Sequence, residues 1–83
     1  MKIFYFSWIR ERVGLSHEEI SWPQEAAPVS ELVQWLKARG DNYSFAFSDL
    51  SQLRVAINHD HASMQDTIQD TCEVAFFPPM TGG

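Results

Sequence analysis

Val29, Leu32, Val33 and Leu36 recur at i, i+3, i+4 and i+7, one apolar stripe that predicts an amphipathic helix over 29–39. Pro28 is acceptable at its start, Lys37 and Arg39 suit its negative end, and Gly40 suits the position just past it. The rest of the apolar pattern is mostly that of strands. Residues 2–7 are β-branched and aromatic with little polar interruption, and residues 17–22 predict a second strand closed by Pro23. Their proximity suggests a hairpin. Between them, residues 8–13 predict one helical turn ended by Gly14. Residues 24–28 read as a connector and 43–47 as another helical turn. A third main strand spans 53–57, with 53, 55 and 57 toward the core. Residues 58–60 turn the chain, 62–64 predict a short edge strand, and 73–77 predict the last strand. The order β-β-α-β-β is α+β, with one main helix over one face of a sheet.

The other face of that sheet is unusual. Alternation puts Ile3 and Tyr5 on one side of the first strand and Phe4 and Phe6 on the other. It also sets Val74 and Phe76 opposite Ala75 and Phe77 on the last. One long helix covers only one face. Surplus aromatics on the uncovered face predict a protein-binding patch, unless loops and the 43–47 turn cover them. Both readings stand for Phe4. The patch is favoured for Phe6 and Phe77, which adjoin the tail if their strands pair.

Length and charge narrow the function. Eighty-three residues make one domain with one core. Apolar content of 45% and eleven aromatic residues argue for a folded body. A net charge of −5, with six Lys and Arg, argues against nucleic acid and against an anionic membrane surface, and suits a basic protein partner. The apolar run at the N-terminus is too short for a signal sequence, and no segment approaches membrane-spanning length. A lone Cys72 excludes an internal disulfide, and the expected compartment is cytoplasmic.

The chain ends Phe76-Phe77-Pro78-Pro79-Met80-Thr81-Gly82-Gly83. Pro78 and Pro79 should stop the last strand, dividing the chain into a body over 1–77 and an extended arm over 78–83. Gly82 and Gly83 lack a Cβ and could lie in a passage too narrow for other residues. The group they would present is the Gly83 carboxylate, on an arm that reaches roughly 20 Å. The alternative is a frayed terminus.

With Arg10-Glu11-Arg12-Val13-Gly14, Val55-Ala56-Ile57-Asn58 and the Phe-Phe-Pro-Pro-x-Thr-Gly-Gly ending in view, the chain resembles the small subunit of molybdopterin synthase, a ubiquitin-like β-grasp sulfur carrier. The resemblance covers essentially the whole chain. It implies that a ubiquitin-activating-like adenylyltransferase uses ATP and Mg²⁺ to adenylate Gly83, and that a persulfide sulfur donor converts it to a thiocarboxylate. The tail would then enter the large subunit of the synthase, where sulfur passes to a cyclic pyranopterin precursor in molybdenum cofactor biosynthesis. By the same resemblance the chain binds no cofactor itself, the catalytic residues lie on the large subunit, and two copies assemble with two large subunits. Thr81 and Gly82 would be the threading segment. Phe6 and Phe77 match partner-contacting positions, Arg10 matches a recurrent Arg after the first strand, and Pro78, Pro79 and Met80 would join the contact. The chain departs from the family at Thr71-Cys72, where a Gly-Asp turn is usual, and at Pro28, which replaces a Ser/Thr cap. It also departs at His61, a position usually apolar, which argues against that residue joining the patch.

Other groups carry less. His59, His61 and Cys72 lack a fourth ligand and read as a surface turn and not a metal site. Cys72 has no Cys-x-x-Cys partner and reads as an ordinary thiol. Glu18, Glu19, Asp66 and Asp70 read as solvated charges. A self-contained enzyme would need a pocket that so small a chain rarely encloses. The competing function is a ubiquitin-like interaction module with an inert tail, or a carrier for another pathway such as thiamine or tRNA thiolation.

Overall fold

The computed structural model describes residues 1–79. Strand β1 (Lys2–Tyr5) is followed by helix α1 (Ser7–Val13), strand β2 (His17–Glu19) and strand β3 (Ala27–Pro28). Helices α2 (Val29–Lys37) and α3 (Asp41–Ala46) come next, then a 3₁₀ turn at Leu50–Gln52. The chain closes with β4 (Arg54–Ile57), β5 (Asp60–Ala62), β6 (Thr67–Ile68) and β7 (Glu73–Phe77). The main sheet has the order β2-β1-β7-β4-β5, with β1 and β7 parallel at its centre and the other pairings antiparallel. A mixed sheet gripping a helix in this order is the ubiquitin-like β-grasp, an α+β fold.

Strong alternation fixes which face is covered. Ile3, Tyr5, Val55, Val74 and Phe76 are buried under Val29, Leu32, Val33 and Leu36 of α2. The stripe on α2 therefore packs as its spacing demands. The main helix shares that face with the two shorter helical segments expected at 8–13 and 43–47. Ile9 and Val13 of α1 are buried, as are Tyr43 and Ala46 of α3 and the adjoining Phe47. Phe47 meets Phe76 edge-on at 5.0 Å, and Tyr5 stacks on Phe76 at 6.3 Å. The 43–47 segment thus covers the core face and leaves the aromatics of the opposite face uncovered.

Several boundaries move. The first strand ends at Tyr5 because Ser7 takes a positive φ of 57° and swings the chain into α1. Phe6 stays extended, and its N–H still donates to the Phe76 carbonyl at 3.1 Å. The second strand stops at Glu19, and the edge strand lies at 60–62, not 62–64. Residues 27–28 of the expected connector pair with β6, a two-residue ladder too short to leave a period in the sequence. Gly40 does not end α2. That helix closes at Ala38 in a right-handed conformation, and Gly40, extended, opens α3 instead. Pro28 works at the start of α2 because backbone carbonyls replace a side-chain cap. Val29 N–H donates to Asp66 O at 3.0 Å and Ser30 N–H to Met64 O at 2.9 Å.

Candidate partner-docking face and C-terminal arm

The uncovered sheet face is built from alternate residues of four strands. Phe4 on β1, Glu73, Ala75 and Phe77 on β7, Ala56 on β4 and His61 on β5 line a shallow concavity of ≈ 670 Å³, together with Phe6 and His59. Phe6 is 48% exposed, a level that leaves about half of the residue in water beside other apolar groups. The ladder bond from Phe6 N–H to Phe76 O sets Phe6 next to the strand that carries Phe77. Phe4 is half-buried, partly covered by His17, whose ring lies 5.8 Å away at 30°. The sequence left Phe4 undecided, and the structure puts it in the concavity.

His61 joins this face, contrary to the sequence reading. It pairs with Ala56 across β4–β5 and meets Phe77 edge-on at 5.6 Å. The period-two alternation that placed Ala75 and Phe77 could also have found Ala56. Finding His61 required the β4–β5 register. That register comes from a two-residue turn in which Asn58 and His59 both have positive φ, 50° and 74°. The turn is fastened to the start of β7: Asn58 N–H donates to Glu73 O at 2.8 Å, Glu73 N–H donates to Asn58 Oδ1 at 2.9 Å, and His59 Nε2 lies 2.8 Å from Glu73 Oε2.

Phe77 stands at the end of β7, paired with Arg54, and Pro78 and Pro79 follow it half-buried. Residues 78–79 therefore continue the chain from the edge of the aromatic concavity. Met80, Thr81, Gly82 and Gly83 lie outside the described residues. Arg10 is exposed one turn into α1 and is not among the residues lining the concavity, although its N–H donates to Phe6 O at 3.4 Å. Among the described residues no group of three His, Cys, Asp or Glu is arranged to hold a metal ion. No helix among them is long and apolar enough to cross a membrane.

Two carboxylates read as solvated charges are structural. Glu18 accepts from Tyr5 OH at 2.8 Å, Tyr43 OH at 2.7 Å and Arg39 Nη1 at 2.8 Å, tying β2 to β1, α3 and the end of α2. Burial acts to raise its pKa, but the hydrogen bonds from Tyr43, Tyr5 and Arg39 prevail and hold the carboxyl below its ordinary value. Burial and the hydrogen bond to Glu18 push the Tyr43 hydroxyl up to about 12, and the Tyr5 hydroxyl rises further for the same reasons. Asp70 Oδ1 accepts from Trp22 N–H at 2.7 Å and from the Met1 amino group at 3.1 Å, which lowers its pKa. Glu18 thus braces the body through the core tyrosines, and Asp70 ties the amino terminus to Trp22.

Residues 3–83 match the ThiS family. The molybdopterin synthase sulfur carrier subunit of Escherichia coli (strain K12) is 35% identical over 83 residues, covering 100% of this chain and 99% of that protein. The protein of the same description from Haemophilus influenzae is 29% identical over the same span, with the same coverage. Among solved structures, one described as molybdopterin converting factor, subunit 1, from Pyrococcus furiosus superposes with a TM-score of 0.75 at 28% identity, covering 95% of each chain. SAMP1 from Haloferax volcanii superposes with a TM-score of 0.77 at 23% identity, over 100% of this chain and 98% of that one, a likeness of fold. With a match that runs from the first strand through Gly83, the chain belongs to the ThiS family.

Proposed function

We propose that this chain is the sulfur-carrier small subunit of a molybdopterin synthase, and that the carried sulfur sits on the Gly83 carboxyl. The observation that carries the reading is full-length similarity to two sulfur carrier subunits, extending through the Gly-Gly end. The aromatic face beside the departing arm supports it, since a carrier must be held while its tail is inserted.

The chemistry follows from the weakness of a carboxylate as an electrophile. A partner adenylyltransferase joins the Gly83 carboxylate to AMP from ATP with Mg²⁺, releasing pyrophosphate. A persulfide then attacks the acyl carbon and AMP leaves. Cleavage of the resulting S–S bond by a thiol yields the thiocarboxylate and a disulfide. The large subunit receives the loaded tail, with Phe6 and Phe77 as docking contacts and Pro78, Pro79, Met80, Thr81 and Gly82 leading Gly83 inward. Arg10, exposed on α1 outside the concavity, is assigned to the same partner contact. The bond-making groups for the pterin precursor belong to the large subunit, and the whole process belongs in the cytoplasm.

The test is the intact mass of the chain after incubation with ATP, the activating enzyme and a sulfur donor. An oxygen-to-sulfur increase confined to the peptide ending in Gly83 is expected, and deletion of Gly83 should abolish it. No increase, with the activating enzyme competent on another carrier, would favour an inert interaction module. Loading without sulfur transfer by the large subunit would favour a carrier for a different thiolation pathway.

A further inference from the structure

We propose that docking of the large subunit on the open sheet face is proton-linked through His61, with the neutral imidazole as the docking form. The proposal rests on the reading that the large subunit binds this face, and it adds regulation to that same site. His61 stands opposite Ala56, which stands opposite Ala75, so the imidazole lies in a row with two methyl side chains. Its other neighbour is the Phe77 ring, edge-on at 5.6 Å. A docking partner that fills this concavity removes His61 from water among apolar atoms. Imidazoles change charge between about pH 5 and 8, and an ion buried without a counter-charge is unfavourable.

The charged and titratable groups nearby are otherwise engaged. Glu73, the carboxylate in the concavity, lies 2.8 Å from His59 Nε2 and stands opposite Lys2 in the β1–β7 register. Arg54 on β4 donates through Nη1 to the carbonyls of Ser51 and Leu53. Asp60 adjoins His61 on β5, but alternation points it to the other face. Protonated His61 would therefore meet an apolar partner without compensation, whereas protonated His59 has Glu73.

The experiment is calorimetric titration of the full chain into the large subunit from its own host, at about pH 7.5 and 5.5, within the range where imidazole titrates. Wild type, His61→Gln and His59→Gln are compared. The readout is the ratio of Kd at the two pH values, so that changes in absolute affinity and titration of the large subunit cancel between variants. Wild type should weaken about tenfold more than His61→Gln over this interval, and His59→Gln should keep the wild-type ratio. Equal ratios for wild type and His61→Gln overturn the proposal. So does tighter binding at the lower pH that His61→Gln loses, which would signal a partner carboxylate facing His61. Phe77→Ala separates docking on this face from its proton linkage. If it binds unchanged at about pH 7.5, this face is not the docking surface and that part of the functional reading falls. If it binds weakly while the pH profiles run parallel, only the proton linkage fails.

Discussion

Glu18 shows how much a single side chain can integrate. Its carboxylate takes hydrogen bonds from Tyr5, Tyr43 and Arg39, and truncation would leave two tyrosine hydroxyls without their acceptor. Glu18→Ala should cost about 1–3 kcal/mol, read from urea unfolding midpoints. The same cluster sets a pH profile. A carboxyl depressed in the folded state contributes stability that is present above its unfolded value and lost as pH falls through the folded one. A tyrosine raised from 10.0 to about 12 does the reverse: its contribution is full below 10.0 and lost as pH rises toward 12. Stability should therefore fall on both sides. Glu18→Gln should make the acid limb shallower, leaving the share due to Asp70, and Tyr43→Phe should make the alkaline limb shallower. An alkaline limb unchanged in Tyr43→Phe would show that this hydroxyl does not carry it. His59 supplies a separate residue-level test. With φ at 74° and its side chain largely in water, His59→Gly should stabilise by up to about 1 kcal/mol, because the strain relieved outweighs a weak exposed contact.

At the element scale, α1 depends on the two residues that bracket it. Ser7, at a positive φ, breaks the strand direction, and Gly14, at φ 91°, ends the helix with its N–H donating to Arg10 O at 2.8 Å. A Cβ added at Gly14 would meet nothing within 4 Å, so Gly14→Ala isolates the backbone cost. A loss of about 1 kcal/mol is expected in denaturant unfolding. The glycine was legible from sequence because it follows an apolar-periodic turn. Gly40 was misread by the same rule. Its place is at the start of α3, where Asn42 Nδ2 donates to Val13 O at 2.7 Å and fastens α3 to the end of α1. No local signal distinguishes a glycine that closes one helix from one that opens the next. The β3–β6 pair was illegible for a related reason: four residues joined across the chain carry no periodicity of their own.

For the whole molecule, the division of labour is between a braced face and an open one. The covered face holds the aliphatic and aromatic core, and the open face offers aromatic rings next to Pro78 and Pro79. Phe6→Asp and Phe77→Asp should therefore leave the unfolding midpoint nearly unchanged for Phe6 and modestly lowered for Phe77, which is half-buried. Each should weaken large-subunit binding by about ten- to a hundredfold, as expected for an aromatic anchor at an interface. A Phe6→Asp protein that unfolds early but binds normally would contradict the assignment of that ring to docking.

The sequence by itself determined the α2 stripe, the central strands, the two-sided aromatic pattern and the Gly-Gly ending, because each is a local period or a local composition. Tertiary structure decided what depends on register and on contacts between distant segments. It placed α3 on the core face and not over Phe4 and Phe6. It set His61 beside Phe77 through the two-residue turn at Asn58-His59, and it turned Glu18 and Asp70 from apparent surface charges into hydrogen-bonded braces. Alternation tells which residues share a side of one strand, but only the pairing of strands tells which neighbours they meet there.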